Sequence, residues 1–251
     1  MNILFNNIYY IMTSKITIIL SYYNQPKEVL IRHIDNWKQY TNINEFTFFI
    51  IDDCSKIPAN KLLEDYDLSN LDLHLYRVEE DLYCNIAGVR NLGANECKTP
   101  YMVILDMDTI INNEMSNKLL LLAETNIDKN NVFKFNRLVP TPDGLSFQTK
   151  HKKHNKPHPA ICLIRKKDYW DIGGCEEDLV GNYGQTDPSF WYKSNGKVNI
   201  ITCKTINLLY YIDGESDIQR NREHNLNMFD IKKKNNNWST DYIRFKWSKI
   251  I

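Results

Sequence analysis

Tyr101-Met102-Val103-Ile104-Leu105-Asp106-Met107-Asp108 is the stretch that decides how this chain is read. Met102 to Leu105 is a short apolar run with the length and β-branched content of a strand buried on both faces, as parallel strands are. It ends abruptly in two carboxylates with one residue between them. Open α/β sheets bind ligands just beyond the carboxyl ends of their strands, so Asp106 and Asp108 are expected at a binding edge. Carboxylates spaced this way can share a divalent cation, or one can hold the cation while the other accepts from a hydroxyl. Hard oxygen ligands suit Mg²⁺ or Mn²⁺, which in turn hold phosphate oxygens. Taken alone, the same residues also fit a strand and turn in which Asp108 or Thr109 caps a helix.

Two earlier strand ends deliver polar residues to the same edge. Lys15 to Leu20 reads as a first strand and runs into Ser21-Tyr22-Tyr23-Asn24-Gln25-Pro26. Pro26 then opens a helix to about Gln39, with Val29, Leu30, Ile34 and Trp37 as its apolar stripe. Phe46 to Ile51 reads as a second strand, ending in Asp52-Asp53-Cys54-Ser55. A short helix near Asn60 to Tyr66, a strand near Leu71 to Arg77 and a helix from Asn85 to Glu96 follow. This alternation predicts an α/β fold with a mostly parallel, Rossmann-like central sheet and helices on both faces. Coincidence explains one polar strand end far more easily than three in order.

Beyond Asp108, Asn112 or Asn113 caps a Leu-rich helix, Glu114 to Glu124, and Val132 to Val139 is a strand. Periodicity is lost from Pro140 to Pro159, where Pro, Gly, Lys and His dominate; a loop this long inside a domain is read as functional or disordered. A strand (Ala160 to Ile164), a short helix (Lys166 to Ile172) stopped by Gly173-Gly174, and a helix from Pro188 to Asn195 come next. Strands at Val198 to Thr202 and Ile206 to Ile212 precede a helix carrying His224.

With 251 residues, one domain with two halves is expected, and 1–14 reads as an extension ahead of a domain spanning 15–251. Lys+Arg and Asp+Glu balance at 31 each, which removes the bulk electrostatic case for nucleic acid or an anionic membrane. No segment has the length and apolarity of a membrane span. Six scattered cysteines without a Cys-x-x-Cys pair read as free, mostly buried thiols in a reducing compartment, so a soluble cytoplasmic protein is expected.

Taken in order, these motifs resemble the inverting family-2 glycosyltransferases of the GT-A fold. Ser21-Tyr22-Tyr23-Asn24 is similar to the family's small-x-Tyr-Asn loop. Ile51-Asp52-Asp53-Cys54-Ser55 is similar to its Val-Asp-Asp-Gly-Ser, with Cys54 in place of Gly. Asn85 to Ala94 carries its Ala-Arg-Asn-x-Gly helix, with Val89 in place of Ala, and Asp106-Met107-Asp108 is its Asp-x-Asp. Gly173-Gly174-Cys175-Glu176-Glu177 resembles Gly-Gly-Phe-Asp-Glu, and Tyr183 to Asp187 resembles Tyr-Gly-x-Glu-Asp, with Thr186 in place of Glu. The set covers roughly Lys15 to Lys234 and is specific as a set, although no single match is.

The resemblance implies a metal-dependent hexosyl- or N-acetylhexosaminyltransferase that moves a sugar from a nucleotide-diphosphate donor, a UDP-sugar above all, to a hydroxyl on a glycan or protein acceptor. It implies a nucleotide-sugar half (15–112), an acceptor half (113–234) and a C-terminal tail (235–251). Ser21 and Tyr23 would lie beside the base, Asp52 would accept from it, and Arg90 would contact base or diphosphate. Asp106 would hold the ribose and, with Asp108 and His224, the metal; a His ligand favours Mn²⁺ over Mg²⁺. Asp187 would be the general base. It equally suits an N-cap for the helix at Pro188, which would leave Glu176 or Glu177 next in line. His151, His154 and His158 could suggest zinc, but no Cys or acid completes the set, and a basic lid over the diphosphate fits better. Two rivals remain: a nucleotidyltransferase, which Ser21 to Lys27 does not favour because it lacks a Gly-rich phosphate loop, and an inactive sugar-binding module, against which both aspartates argue.

Overall fold

In the first half of the chain, three short apolar strands are each followed by a helix, and the sheet grows from that alternation. The structure, a computed structural model, describes residues 15–126, 129–141, 147–148, 157–214 and 218–251. In the first half, β1 (Ile16–Tyr22), β2 (Phe46–Asp52), β3 (Leu73–Val78) and β4 (Tyr101–Asp106) alternate with α1 (Lys27–Trp37), α2 (Ala59–Leu62) and α3 (Ile86–Glu96). Then come β5 (Thr109–Ile110), α4 (Asn113–Thr125), β6 (Asn131–Pro140), β7 (Phe147–Gln148), β8 (Cys162–Arg165) and α5 (Lys166–Ile172). The chain closes with α6 (Thr186–Ser194), β9 (Asn199–Tyr210), α7 (Glu223–Asn235) and β10 (Trp247–Lys249).

The sheet order is β10-β3-β2-β1-β4-β8-β6-β9-β5, with β7 hydrogen-bonded to β6. β3, β2, β1 and β4 are parallel. Past β4 the sheet becomes mixed: β8 is antiparallel to β4 and to β6, while β6 and β9 run parallel. Side chains alternate across β1 as strand geometry requires. Ile16, Ile18 and Leu20 enter one apolar layer with Leu30, Ile34 and Trp37 of α1 and Leu119 of α4. Ile19 enters the other, with Val89 and Leu92 of α3, Tyr169 of α5 and Phe190 of α6. Each fully buried aliphatic or aromatic side chain contributes about 1.5–3 kcal/mol.

Three expectations change. The strands expected at Val198 to Thr202 and Ile206 to Ile212 form one strand, β9. The break is a bulge: Phe135 pairs with Cys203, but the next residue, Asn136, pairs with Asn207. α6 begins at Thr186, before Pro188, and this bears on Asp187 below. Residues 235–251 are an integral part of the sheet, because β10 pairs antiparallel with β3 at its edge. The anchors are Glu176 and Glu177, both buried. Glu176 accepts from the Ser239 backbone N–H at 3.1 Å and from its hydroxyl, and Lys232 lies 3.2 Å away. Glu177 accepts from the N–H groups of Ile243 (2.8 Å) and Arg244 (3.2 Å) and from Asn91 Nδ2 (2.7 Å). Residues 1–14, and most of the stretch expected to form a lid, including His151 and His154, lie outside the described residues.

Candidate active site

Strand register brings the three polar strand ends side by side. Ser21 pairs with Asp106 and Tyr22 with Asp52, so the loops after β1, β2 and β4 open onto one edge. There they border a cleft of about 410 Å³, closed on its far side by 183–188 at the start of α6 and by Arg220 and Arg222. Ser21, Tyr23, Arg90, Asp106, Asp108 and Asp187 all line it. Among the described residues, no helix is long and apolar enough to cross a membrane.

Asp52 does not line the cleft. It is fully buried, and its oxygens accept from the N–H groups of Ser55 (2.8 Å) and Ala59 (3.0 Å) and from Arg77 Nη1 (2.6 Å). Its carboxylate is therefore committed to holding the loop onto α2, which corrects the expectation that it reads a base. Asp53 faces the cleft instead. Its Oδ2 accepts from the Asn85 N–H at 3.1 Å, while its buried Oδ1 has no hydrogen-bond partner among the described residues. Cys54, where the family has Gly, adopts a left-handed φ of 55°, the conformation for which Gly is suited.

Burial pushes the Asp53 carboxyl up to about 7, with the Asn85 bonds pulling it part of the way back. A carboxyl raised in the fold favours folding while protonated, and that contribution is lost as pH climbs from its unfolded value through about 7. Asp53→Asn keeps the shape and removes the penalty. We predict that it is more stable than the parent chain at pH 8 by a few kcal/mol (three pKa units correspond to about 4 kcal/mol), with the advantage vanishing near pH 4. Urea unfolding of both proteins across that range checks this; a pH-independent difference would contradict it.

The Asp106–Asp108 turn is held from behind. His33 of α1 is fully buried and donates from Nε2 to the Met107 carbonyl at 3.1 Å; burial lowers its pKa to about 4, so the ring is neutral. The Asp108 carbonyl accepts from the Tyr211 N–H at 2.7 Å. Gly214 packs so tightly that a Cβ would sit 2.3 Å from the Met107 carbonyl oxygen and 2.4 Å from the Asp108 Cα. Any side chain at that position would displace the turn.

Arg90, 4% exposed, spans the cleft floor. Nη2 donates to Asp106 Oδ1 at 2.9 Å and Nη1 to Asp187 Oδ1 at 2.7 Å. Burial disfavours the cation, but Asp106 and Asp187 outweigh that and keep the guanidinium charged. Burial likewise pushes Asp106 up, and the Arg90 guanidinium outweighs that and holds the carboxyl below its ordinary value. Arg90 thus joins the two carboxylates. Asp187 is not an N-cap: the cap position is Gln185, itself left-handed at φ 64°, and Asp187 lies in the first helical turn.

Asp106, Asp108 and His158 bring ligand atoms within 4.8 Å of one another, a donor set whose carboxylates suit a hard divalent cation. His224 is exposed on α7 and is not part of this group. Sequence reasoning named His158 only in a zinc or lid setting, and missed its place beside the two acids, Asp53's orientation, Gly214 and the arginine pair. Arg220 and Arg222 lie over the Tyr183 ring, their guanidinium carbons 5.8 and 5.5 Å from its centroid. Their one signal was the Arg-Asn-Arg spacing just ahead of His224.

Comparison with known proteins agrees with this geometry. The sequence profile described as glycosyl transferase family 2 matches residues 17–173, well over half of the chain. A teichoic acid poly(glycerol phosphate) polymerase of Staphylococcus epidermidis is 30% identical over 95 residues, 38% of this chain but 13% of that protein. S. aureus TarS 1-349 in complex with UDP-GlcNAc superposes with a TM-score of 0.63 at 17% identity, covering 81% of this chain and 60% of that one. GalNAc-T7 with UDP, GalNAc and Mn²⁺ gives 0.61 at 14% identity, over 79% and 44%. The chain therefore spans less than two thirds of each of these proteins while sharing their fold. Parallel nucleotide-type sheet, aligned strand-end acids and profile match lead to one assignment: the chain has a GT-A fold and belongs to glycosyl transferase family 2.

Proposed function

We propose that this chain transfers a hexosyl or N-acetylhexosaminyl group from a UDP-sugar to an acceptor hydroxyl with inversion. The observation that carries the reading is the Arg90 bridge, which holds Asp106 and Asp187 in one cleft, 2.9 and 2.7 Å from one guanidinium. The solved complexes of TarS with UDP-GlcNAc and of GalNAc-T7 with UDP and Mn²⁺ support the choice of donor.

Asp53 Oδ1 accepts from the base, with Tyr23 packed beside it. Arg220 and Arg222 face the diphosphate, where positive charge stabilises the departing group. Asp106 and Asp108 would hold Mn²⁺ or Mg²⁺. When bound, such an ion neutralises charge on the leaving diphosphate. Arg90 engages Asp187 through Oδ1, and Oδ2 takes the proton of the acceptor hydroxyl as that oxygen attacks the anomeric carbon from the face opposite the diphosphate.

Calorimetry with UDP tests the donor side. Asp53→Ala should weaken UDP binding by about 1–3 kcal/mol, the cost of leaving a buried donor unpaired. Chelator or Asp108→Ala should weaken it further. Equal affinity in all of these conditions would remove both the base pocket and the ion from the reading.

A further inference from the structure

We infer that His158 is a hydrogen-bond donor that positions the Asp108 carboxylate, and is not a nitrogen ligand of the ion that Asp106 and Asp108 would hold; the inference builds on the site proposed above. The argument starts at the far side of the ring. His158 Nδ1 accepts from two backbone N–H groups, Ala160 at 3.2 Å and Ile161 at 3.3 Å. A nitrogen facing two N–H donors carries no proton, because a third hydrogen would meet theirs. The single proton of a neutral imidazole must then be on Nε2. Nε2 is the atom that faces the acids, 3.8 Å from Asp108 Oδ1.

A histidine that ligates through Nε2 has the opposite arrangement. It binds with the bare Nε2 lone pair and donates Nδ1–H outward to a carbonyl or carboxylate. Here the outward partners are donors, and the backbone that carries them is itself hydrogen-bonded. His158 N–H donates to the Phe135 carbonyl at 2.9 Å, the Pro159 carbonyl accepts from Trp191 Nε1 at 2.6 Å, and Ile161 is fully buried beside β8. Reversing the tautomer would break both hydrogen bonds to Nδ1. Nε2 is 3.8 Å from Asp108 Oδ1, beyond the hydrogen-bond limit of about 3.2 Å, so the proposed bond requires the Asp108 carboxylate to turn toward it. The arrangement leaves two carboxylates for a hard cation, with His158 orienting one of them.

Two measurements decide the matter. Long-range ¹H–¹⁵N spectra of the metal-free protein should show His158 as the Nε2–H tautomer; an Nδ1–H tautomer overturns the inference. Hyperfine spectra of the Mn²⁺- and UDP-loaded protein should show no directly coordinated imidazole nitrogen; a coordinated nitrogen that disappears in His158→Ala overturns it. His158→Ala should weaken Mn²⁺ binding about 10–100-fold, as loss of a supporting partner does, and His158→Gln, which keeps an N–H donor, should recover most of that. Unchanged affinity in His158→Ala, or equal loss in both variants, also overturns it. If the parent protein with UDP takes up no Mn²⁺, the metal part of the proposed function fails, and the imidazole spectrum alone still decides the tautomer.

Discussion

Asp187→Asn is expected to slow sugar transfer by about 10²–10⁴-fold, the span that general-base catalysis supplies, while UDP-sugar affinity changes little. Asn retains an oxygen for Arg90 Nη1, so the 2.7 Å contact survives as a weaker, neutral-acceptor bond. What disappears is the basicity. The measurement is turnover with a working acceptor alongside calorimetry for the donor. The structure sharpens the experiment in two ways. Capping is no longer a competing role, because Gln185 occupies that position. Glu176 and Glu177 no longer offer a substitute base, because both are buried among donors from 239–244. Near-normal turnover would therefore place proton removal on a group outside this constellation, and lost donor binding would move Asp187 into the nucleotide site.

Arg90→Met should be the most damaging single change in the cleft. Removing one partner from a fully buried ion pair costs about 3–5 kcal/mol, an upper bound here because the Asp106 and Asp187 side chains are 24% and 26% exposed. Here two carboxylates lose the same partner and then face each other. Against a typical total stability of about 5–15 kcal/mol, that is a large share. Urea unfolding at low temperature should show it, together with loss of transfer. Adding Asp187→Asn to Arg90→Met removes one of the stranded charges, so the double variant should be more stable than the sum of the two changes predicts. Strict additivity would mean that Arg90 and Asp187 do not interact in solution. Arg90→Lys should be intermediate: it keeps the charge but not the fork that reaches two acids at once.

The strand ends were legible in the sequence because buried parallel strands are continuous apolar runs, and the acids after Ile51 and Leu105 punctuate them sharply. Which of Asp52 and Asp53 faces the cleft was not legible. The two differ by one residue at a strand terminus, and the choice is made by Arg77 and the Ala59 N–H, partners that only the fold brings to Asp52. His158 was obscured for a similar reason. It sits at the end of an aperiodic stretch, and the antiparallel β6–β8 pairing, not any spacing, carries it to Asp108. His224 illustrates the converse, since its place on a helix was readable but the outward face it occupies was not. Gly214 gave no signal either, because its neighbour is a backbone more than a hundred positions upstream.

The edge strand β10 has a consequence for how the protein is made. A ribosome releases β3 and the paired acids Glu176 and Glu177 well before Ser239, Ile243, Arg244 and Trp247 emerge. At about 5–20 residues per second, the nascent chain spends several seconds with one side of the parallel sheet open and two carboxylates without the N–H groups that later enclose them. An open edge of that kind invites pairing with another chain. The parallel half of the sheet can thus be assembled early, but its edge is sealed only when translation has passed Lys249.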